Sequence, residues 1–330
     1  MYRQISSNKR KSIALLLGFL LLYTALGFLL SLWFGEAALF VAIGVAVVML
    51  LVNLFMGDDL VTTVAGARRI ERKEQAPELW RMVENLSITA GLPMPRVYIV
   101  PDESPNAFAA GRSPKQAIVA VTTGLLERLD EEELEGVLAH EMSHIRNYDV
   151  RLMTWAAVLA GSIALLANVF TRALWFGGGD RREGNNPIVL IGVIAGLVLA
   201  PIAAILIQFA ISRRREYVAD ASGAELTRYP QGLASALHAI SAANKPSPRL
   251  GNQAIAHLMI APPLTARGRT MTLFATHPAT EDRIARLNKM AGGVEHRHET
   301  LTEGRALPHT EPAPVAGDGG QVHLRSESNS

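Results

Sequence analysis

At 330 residues the chain can hold two modest domains, but 49% hydrophobic and only 19% charged residues exclude an ordinary soluble protein. A formal net charge of +2, with the basic residues scattered beside apolar runs, gives no stripe for nucleic acid, which is excluded as a partner. The absence of cysteine excludes thiolate metal sites and a cysteine nucleophile, and fits a reducing compartment.

In chain order, a basic start (1–11, with Arg3, Lys9, Arg10 and Lys11) precedes two apolar runs, Ser12 to Phe34 and Ala37 to Met56. Each is long enough to span a bilayer, and Gly35 and Glu36 join them into a membrane hairpin, 12–56. A signal peptide shares the basic start, but the first run exceeds the usual signal core and no small-residue cleavage site follows it. A second pair of runs, Leu152 to Phe170 and Ile188 to Ile211, predicts another hairpin over 152–211, for four transmembrane helices in all. Arg68, Arg69, Arg72, Lys73, Arg146, Arg151 and Arg213 to Arg215 lie on the side of the basic start; Arg181 and Arg182 lie opposite. The positive-inside rule then puts the termini and polar segments in the cytoplasm of a multi-pass protein of the cell (inner) membrane.

The polar segments, 57–151 and 212–290, form one cytoplasmic domain in two parts. A helix is expected over Pro77 to Ala90, with Leu79, Met82, Val83 and Leu86 on one face. "RVYIV" and "AIVAV" read as strands, and "SPNAFAAG" between them as a loop with a short strand. Asp130 and Glu133 form a capping box for a helix whose apolar face continues through Leu134, Val137, Leu138 and Ile145. The tail, 291–330, is rich in Gly, Pro and charge without periodicity, and predicts disorder.

That capped helix carries His140, Glu141 and His144 in the order H-E-x-x-H. Residues four apart share a helix face, so both imidazoles can aim a nitrogen at one ion about 2.0 to 2.1 Å away. Glu141 points beside them, where a carboxylate can take a proton from a metal-activated water and pass it to a leaving amine. A catalytic zinc needs three protein ligands and an open position. The second hairpin returns "SRRREYVADASGAEL" to the same face, making Glu216 the third ligand and Asp220 the group that orients a ligating histidine. Asp149 is a rival ligand, but five residues past His144 it is not expected to bend back; Asn147 reads as a polar contact at the helix end, with a supporting role at the site as the other reading. Two histidines and a carboxylate suit one Zn2+ per chain.

These residues resemble the HtpX-type integral-membrane zinc metalloproteases, relatives of the OMA and CAAX prenyl-protein endopeptidases. The resemblance runs from about Ile13 to Leu287 and is carried by "PNAFAAG", "VAVTTGLLERLDEEELEGVLAHEMSHIRNYD", "SRRREYVADASGAEL" and "THPATEDRIARL". It implies a membrane α-helical protein with a cytoplasmic α+β, gluzincin-like metalloprotease domain, in which His140, His144 and Glu216 bind zinc, Glu141 is the base and Asp220 supports a ligand. It also implies that Asn106 to Ala110 is an edge strand, so that Asn106, Ala107, Phe108 and Ala109 bind an extended substrate by strand addition. His277 before Pro278 matches the family's HP motif, where it either stabilises an oxyanion or serves as a structural histidine. Arg283 binds substrate carbonyls or pairs with an acid. Where relatives commonly have HPP this chain has Ala279, and the extension from Gly292 exceeds the family core.

The residues predict peptide hydrolysis, and the resemblance adds quality control of unfolded or misfolded membrane proteins beside the lipid bilayer. Processing of one defined substrate is the nearest alternative, and a non-catalytic zinc-binding scaffold or chaperone is the alternative from another class. A transporter would need buried ionisable groups within its spans, and only Arg172 appears, near a span end where it can snorkel. Gly192 and Gly196 form a GxxxG that permits a homo-oligomer.

Overall fold

The computed structural model describes residues 2–176, 212–243, 247, 250, 255–261 and 278–303. The chain divides into two units, Met1–Ala291 and Gly292–Ser330. The fourth apolar run, the GxxxG and His277 lie outside the described residues. The described helices are α1 (Tyr2–Phe34), α2 (Ala37–Ala65), α3 (Pro77–Ala90), α4 (Thr123–Arg128), α5 (Glu131–Arg146), α6 (Asp149–Phe176), α7 (Arg213–Thr227), α8 (Pro230–Ala242) and α9 (Thr280–Glu303). The strands are β1 (Arg68–Ile70), β2 (Arg96–Val100), β3 (Ala107–Gly111) and β4 (Ala117–Thr122).

Two stretches among the described residues, Ile5–Leu29 and Ala37–Ala65, are long and apolar enough to cross a membrane. Leu21 is 70% exposed and Phe40 68%, an apolar surface suited to lipid contact. The third run lies in α6, but its first half is covered by protein. Leu152, Trp155, Ala156, Leu159 and Ile163 pack with Leu15, Phe19 and Tyr23 of α1 and Ala46 of α2. Hydropathy does not separate such a helix from a spanning one, because a buried core helix is as apolar as a lipid-facing one. Among the described residues, the first two of the four expected runs are spanning candidates, and the third is a helix packed against both.

The second run also ends differently from expectation. Gly57, Asp58 and Asp59 break its hydrophobicity, yet α2 continues to Ala65. Asp58 is buried in an ion pair with Arg96, and Val61 and Ala65 pack beneath the sheet. The membrane hairpin thus enters the domain as one uninterrupted helix.

The sheet has the order β1-β2-β4-β3, with β2 and β4 parallel and the outer pairs antiparallel. Its strands alternate faces with period two. Val97, Ala107, Ala109, Val119 and Val121 meet α3, α5 and α8, while Tyr98, Phe108, Ala110, Ile118 and Ala120 meet α2 and α6. Burial on both faces explains why β4 reads as a continuous apolar run. The α3 helix has its expected bounds and buried face, and "SPNAFAAG" supplies β3 at the sheet edge. The three-residue β1, which carries Arg68 and Arg69, has no alternating apolar pattern to announce it. At the far end α9 is assigned to Glu303, and the division into two units falls at Ala291–Gly292, beside the boundary expected after Met290.

Candidate metal centre

The helix α5 begins as the sequence predicts: Asp130 Oδ1 accepts from the Glu133 N–H at 2.8 Å, and the Glu133 carboxylate accepts from the Asp130 N–H. Leu134, Val137, Leu138, Met142 and Ile145 anchor it against the sheet. This leaves His140 and His144 on the face toward α7, where Glu216 and Asp220 lie one turn apart. Gly223 sets how closely the two helices cross. A Cβ there would stand 3.0 Å from the His140 backbone nitrogen, so a larger residue would push Glu216 and Asp220 away.

His140, Glu141, His144 and Glu216 are 1%, 2%, 4% and 3% exposed. The two Nε2 atoms are 3.2 Å apart, and the Glu216 carboxylate oxygens lie 3.8 Å from His140 Nε2 and 3.7 Å from His144 Nε2. Ligand atoms about 2.0 to 2.1 Å from a tetrahedral ion stand about 3.3 Å from one another, so this donor set fits a metal. A buried group in which two lone-pair nitrogens face each other and a carboxylate also suits a cation on chemical grounds.

Both histidines are held from behind. His140 Nδ1 lies 2.9 Å from Asp220 Oδ1, and His144 Nδ1 lies 3.2 Å from Asp149 Oδ2. Each Nδ1–H therefore donates to a carboxylate and leaves Nε2 as the ligand atom. Burial lowers the His140 pKa to about 4, against the raising effect of Asp220. Burial also opposes charge on His144, but Asp149 and then Glu216 outweigh it and raise its pKa to about 9. The Glu141 carboxyl rises to about 7, chiefly through burial; His144 and a hydrogen bond from the Ala109 N–H work against the rise, and Glu216 adds to it. For Asp220, burial raises the pKa, but Arg283 and His140 together bring it below the ordinary carboxylate value.

One of these partners, Asp149, has a position that the sequence reading did not give it. Asp149 does fold back on α5, because Tyr148 adopts φ +60° and turns the chain sharply. It reaches His144 Nδ1, not the metal-facing nitrogen, so it backs a ligand instead of competing with Glu216. The sequence signal was an acidic residue just past the helix end; the left-handed turn that aims it was not legible. Asn147 caps α5 and takes part through its carbonyl, which accepts from Asn8. Of the two uses weighed for Arg283, the structure contains the ion pair: Nε and Nη2 donate to Asp220 at 3.0 and 2.7 Å, and Nη1 donates to the Ile260 carbonyl at 2.8 Å.

The β3 edge is close to the site but already engaged. The Ile260 N–H donates to the Ala107 carbonyl at 3.0 Å, and the Asn106 amide donates to the Ala261 carbonyl at 3.0 Å. The side chains of Ala107, Phe108 and Ala109 are buried in the two cores, so this strand offers its backbone rather than its side chains. The Ala109 N–H points to Glu141 and ties the edge strand to the carboxylate of the H-E-x-x-H.

Paired apolar helices carrying a domain with this buried His-His-Glu group define a membrane metalloprotease. Sequence comparisons agree. Residues 73–291 match Peptidase family M48. The chain is 47% identical over 290 residues to the "Protease HtpX homolog" of Tropheryma whipplei (strain Twist), covering 88% of this chain and 98% of that one. It is 45% identical over 298 residues to the "Protease HtpX homolog" of Ligilactobacillus salivarius (strain UCC118), covering 88% and 100%. The crystal structure of S. mikatae Ste24p aligns at 17% identity with a TM-score of 0.45, over 87% of this chain and 67% of that chain. The chain belongs to peptidase family M48.

Proposed function

We propose that the chain is a zinc endopeptidase of the cell inner membrane that cleaves misfolded or damaged membrane proteins at the cytoplasmic face. His140, His144 and Glu216 hold the ion, and Glu141 is the general base. The observation that carries this reading is the convergence of both Nε2 atoms and the Glu216 carboxylate, with buried Glu141 on the adjoining helix face. Zinc bound there would supply Lewis acidity to the scissile carbonyl and to a water.

The chain's own residues do the rest. Glu141 accepts the proton from water and delivers it to the leaving amine, a role worth about 10²–10⁴ in rate. Asp220 and Asp149 hold the two imidazoles in the tautomer that presents Nε2. Arg283 neutralises Asp220 and acts on the ligands from behind. An extended peptide adds to the outer edge of β3, which brings its backbone past Ala109 and Glu141 once Ile260 has released Ala107. Recognition through backbone alone suits unfolded substrates of varied sequence. The excess of basic residues beside the spans supports the cytoplasmic placement.

The test compares the full chain with Glu141→Gln, both purified in mild detergent with chelator and then loaded with zinc. Zinc-dependent fragments of an unfolded protein from the first and none from the second, with equal zinc bound, are expected. Equal cleavage by the variant would remove Glu141 from the mechanism.

A further inference from the structure

Asp149 is fully buried, and a buried carboxylate must find donors for its lone pairs. One oxygen faces His144 Nδ1. The other accepts from Asn8 Nδ2 at 2.6 Å, with the Arg215 Nε farther off at 4.0 Å. Asn8 belongs to α1, 141 residues earlier in the chain, and is itself buried. Its Nδ2 also donates to the Asn147 carbonyl at 3.0 Å. Both N–H groups of the amide are therefore engaged by acceptors. The reverse orientation of the amide would set its oxygen against a carboxylate and a carbonyl, so the donor assignment is forced.

The residues that Asn8 grips bracket Tyr148, whose φ of +60° is disfavoured for a bulky side chain. That turn is what folds Asp149 back toward His144. The next residue of α1 holds the turn as well, because the Lys9 ammonium lies 4.7 Å from the centroid of the Tyr148 ring. Two consecutive residues of the first membrane helix thus clamp the junction between the metal helix and α6. They lie outside residues 73–291, the part that matches the peptidase family.

We infer that Asn8 is a positioning residue for the metal centre: by fixing Asp149 on His144, it makes the N-terminal membrane helix part of the apparatus that orients a metal ligand. This rests on the proposed metal-binding role of His140, His144 and Glu216. Loss of a group that orients a ligand typically costs 10–100-fold in metal affinity. Asn8 acts one bond further out, so the expected loss for Asn8→Ala is about tenfold, at the low end of that range.

The experiment measures zinc affinity of the full chain in detergent by competition with a chromophoric chelator. It uses wild type, Asn8→Ala, Asp149→Ala, the double variant, and Thr24→Ala as a matched polar deletion elsewhere in α1. Thermal unfolding in chelator is followed in parallel. Support is a weakening of about tenfold for Asn8→Ala, no change for Thr24→Ala, and no additional loss when Asn8→Ala is placed in the Asp149→Ala background. Unchanged affinity in Asn8→Ala overturns the inference. So does an additive loss in the double variant, which would mean that Asn8 acts through general packing of α1. Should Asn8→Ala fail to fold, Asn8→Ser retains one donor and is held to the same criteria, with a smaller loss expected. A wild type that binds no zinc would instead refute the metal-centre reading itself.

Discussion

Replacing Arg283 by alanine separates the two uses considered for this residue. Arg283 is 1% exposed and gives two bonds to Asp220 and one to the Ile260 carbonyl. Its removal leaves Asp220, 2% exposed, as an uncompensated buried carboxylate, a situation that costs about 3–5 kcal/mol. The bond to Ile260 adds about 1 kcal/mol. For a domain of this size each kcal/mol corresponds to about 2–4 °C, so metal-free protein should unfold on the order of 10 °C lower. The double variant Arg283→Met, Asp220→Asn should recover most of that loss, because neither charge then remains, while zinc affinity stays about 10–100-fold weaker for want of the Asp220 carboxylate on His140. The assay is thermal unfolding in detergent and chelator, paired with zinc competition. An Arg283→Ala protein that unfolds with wild type yet shows a raised KM would refute the ion-pair reasoning and assign Arg283 to the substrate.

Two further outcomes follow from the same geometry. Ile260→Pro removes the N–H that occupies the Ala107 carbonyl and so opens the β3 edge. KM for an unfolded protein substrate should fall, by a few-fold, and an unchanged or higher KM would dissociate that edge from substrate binding. The pH dependence of the metal-free protein has a defined sign. The pKa of His144 is raised in the fold from 6.5 to about 9, so its stabilisation is complete below pH 6.5 and is lost as pH rises through 9. Glu141, raised from 4.5 to about 7, has its full contribution below pH 4.5 and loses it as pH rises through 7. His140, lowered to about 4, works the other way, but only between pH 4 and 6.5. Unfolding temperature in chelator should therefore fall between pH 6.5 and 9, and the gain on adding zinc should widen over the same interval. Equal stability of the metal-free protein at the two ends would contradict the His144–Asp149 pairing.

Patterns with a fixed local period were legible in the sequence. The 3.6-residue stripe of α3, the capping box of α5 and the apolar β2 and β4 need only neighbouring residues to be read, and they stand where expected. The ends of the membrane segments were not legible in this way. Hydropathy breaks at Asp58, but the helix does not, because Arg96 is brought beside it by the sheet. Likewise Leu152 to Ile163 is apolar enough for lipid yet faces α1 and α2, a choice made by tertiary packing.

The candidate site divides along the same line. His140 and His144 are four apart on one helix with Glu141 beside them, and Glu216 and Asp220 repeat that spacing on another, so periodicity alone puts each pair on one face. What joins the sets is long-range: Gly223 lets the helices approach, and Arg283 bridges Asp220 and Ile260. Asp149 shows why spacing alone stops short. Five residues beyond His144, it would face away on a continuing helix, and it meets the imidazole because a single residue, Tyr148, turns left-handed under the hold of Asn8 and Lys9. A non-glycine residue in that conformation carries no composition signal, since its cost is borne by contacts made 139 or more residues away. The N-terminal helix, which hydropathy describes only as an anchor, is therefore where the geometry of His144 is completed.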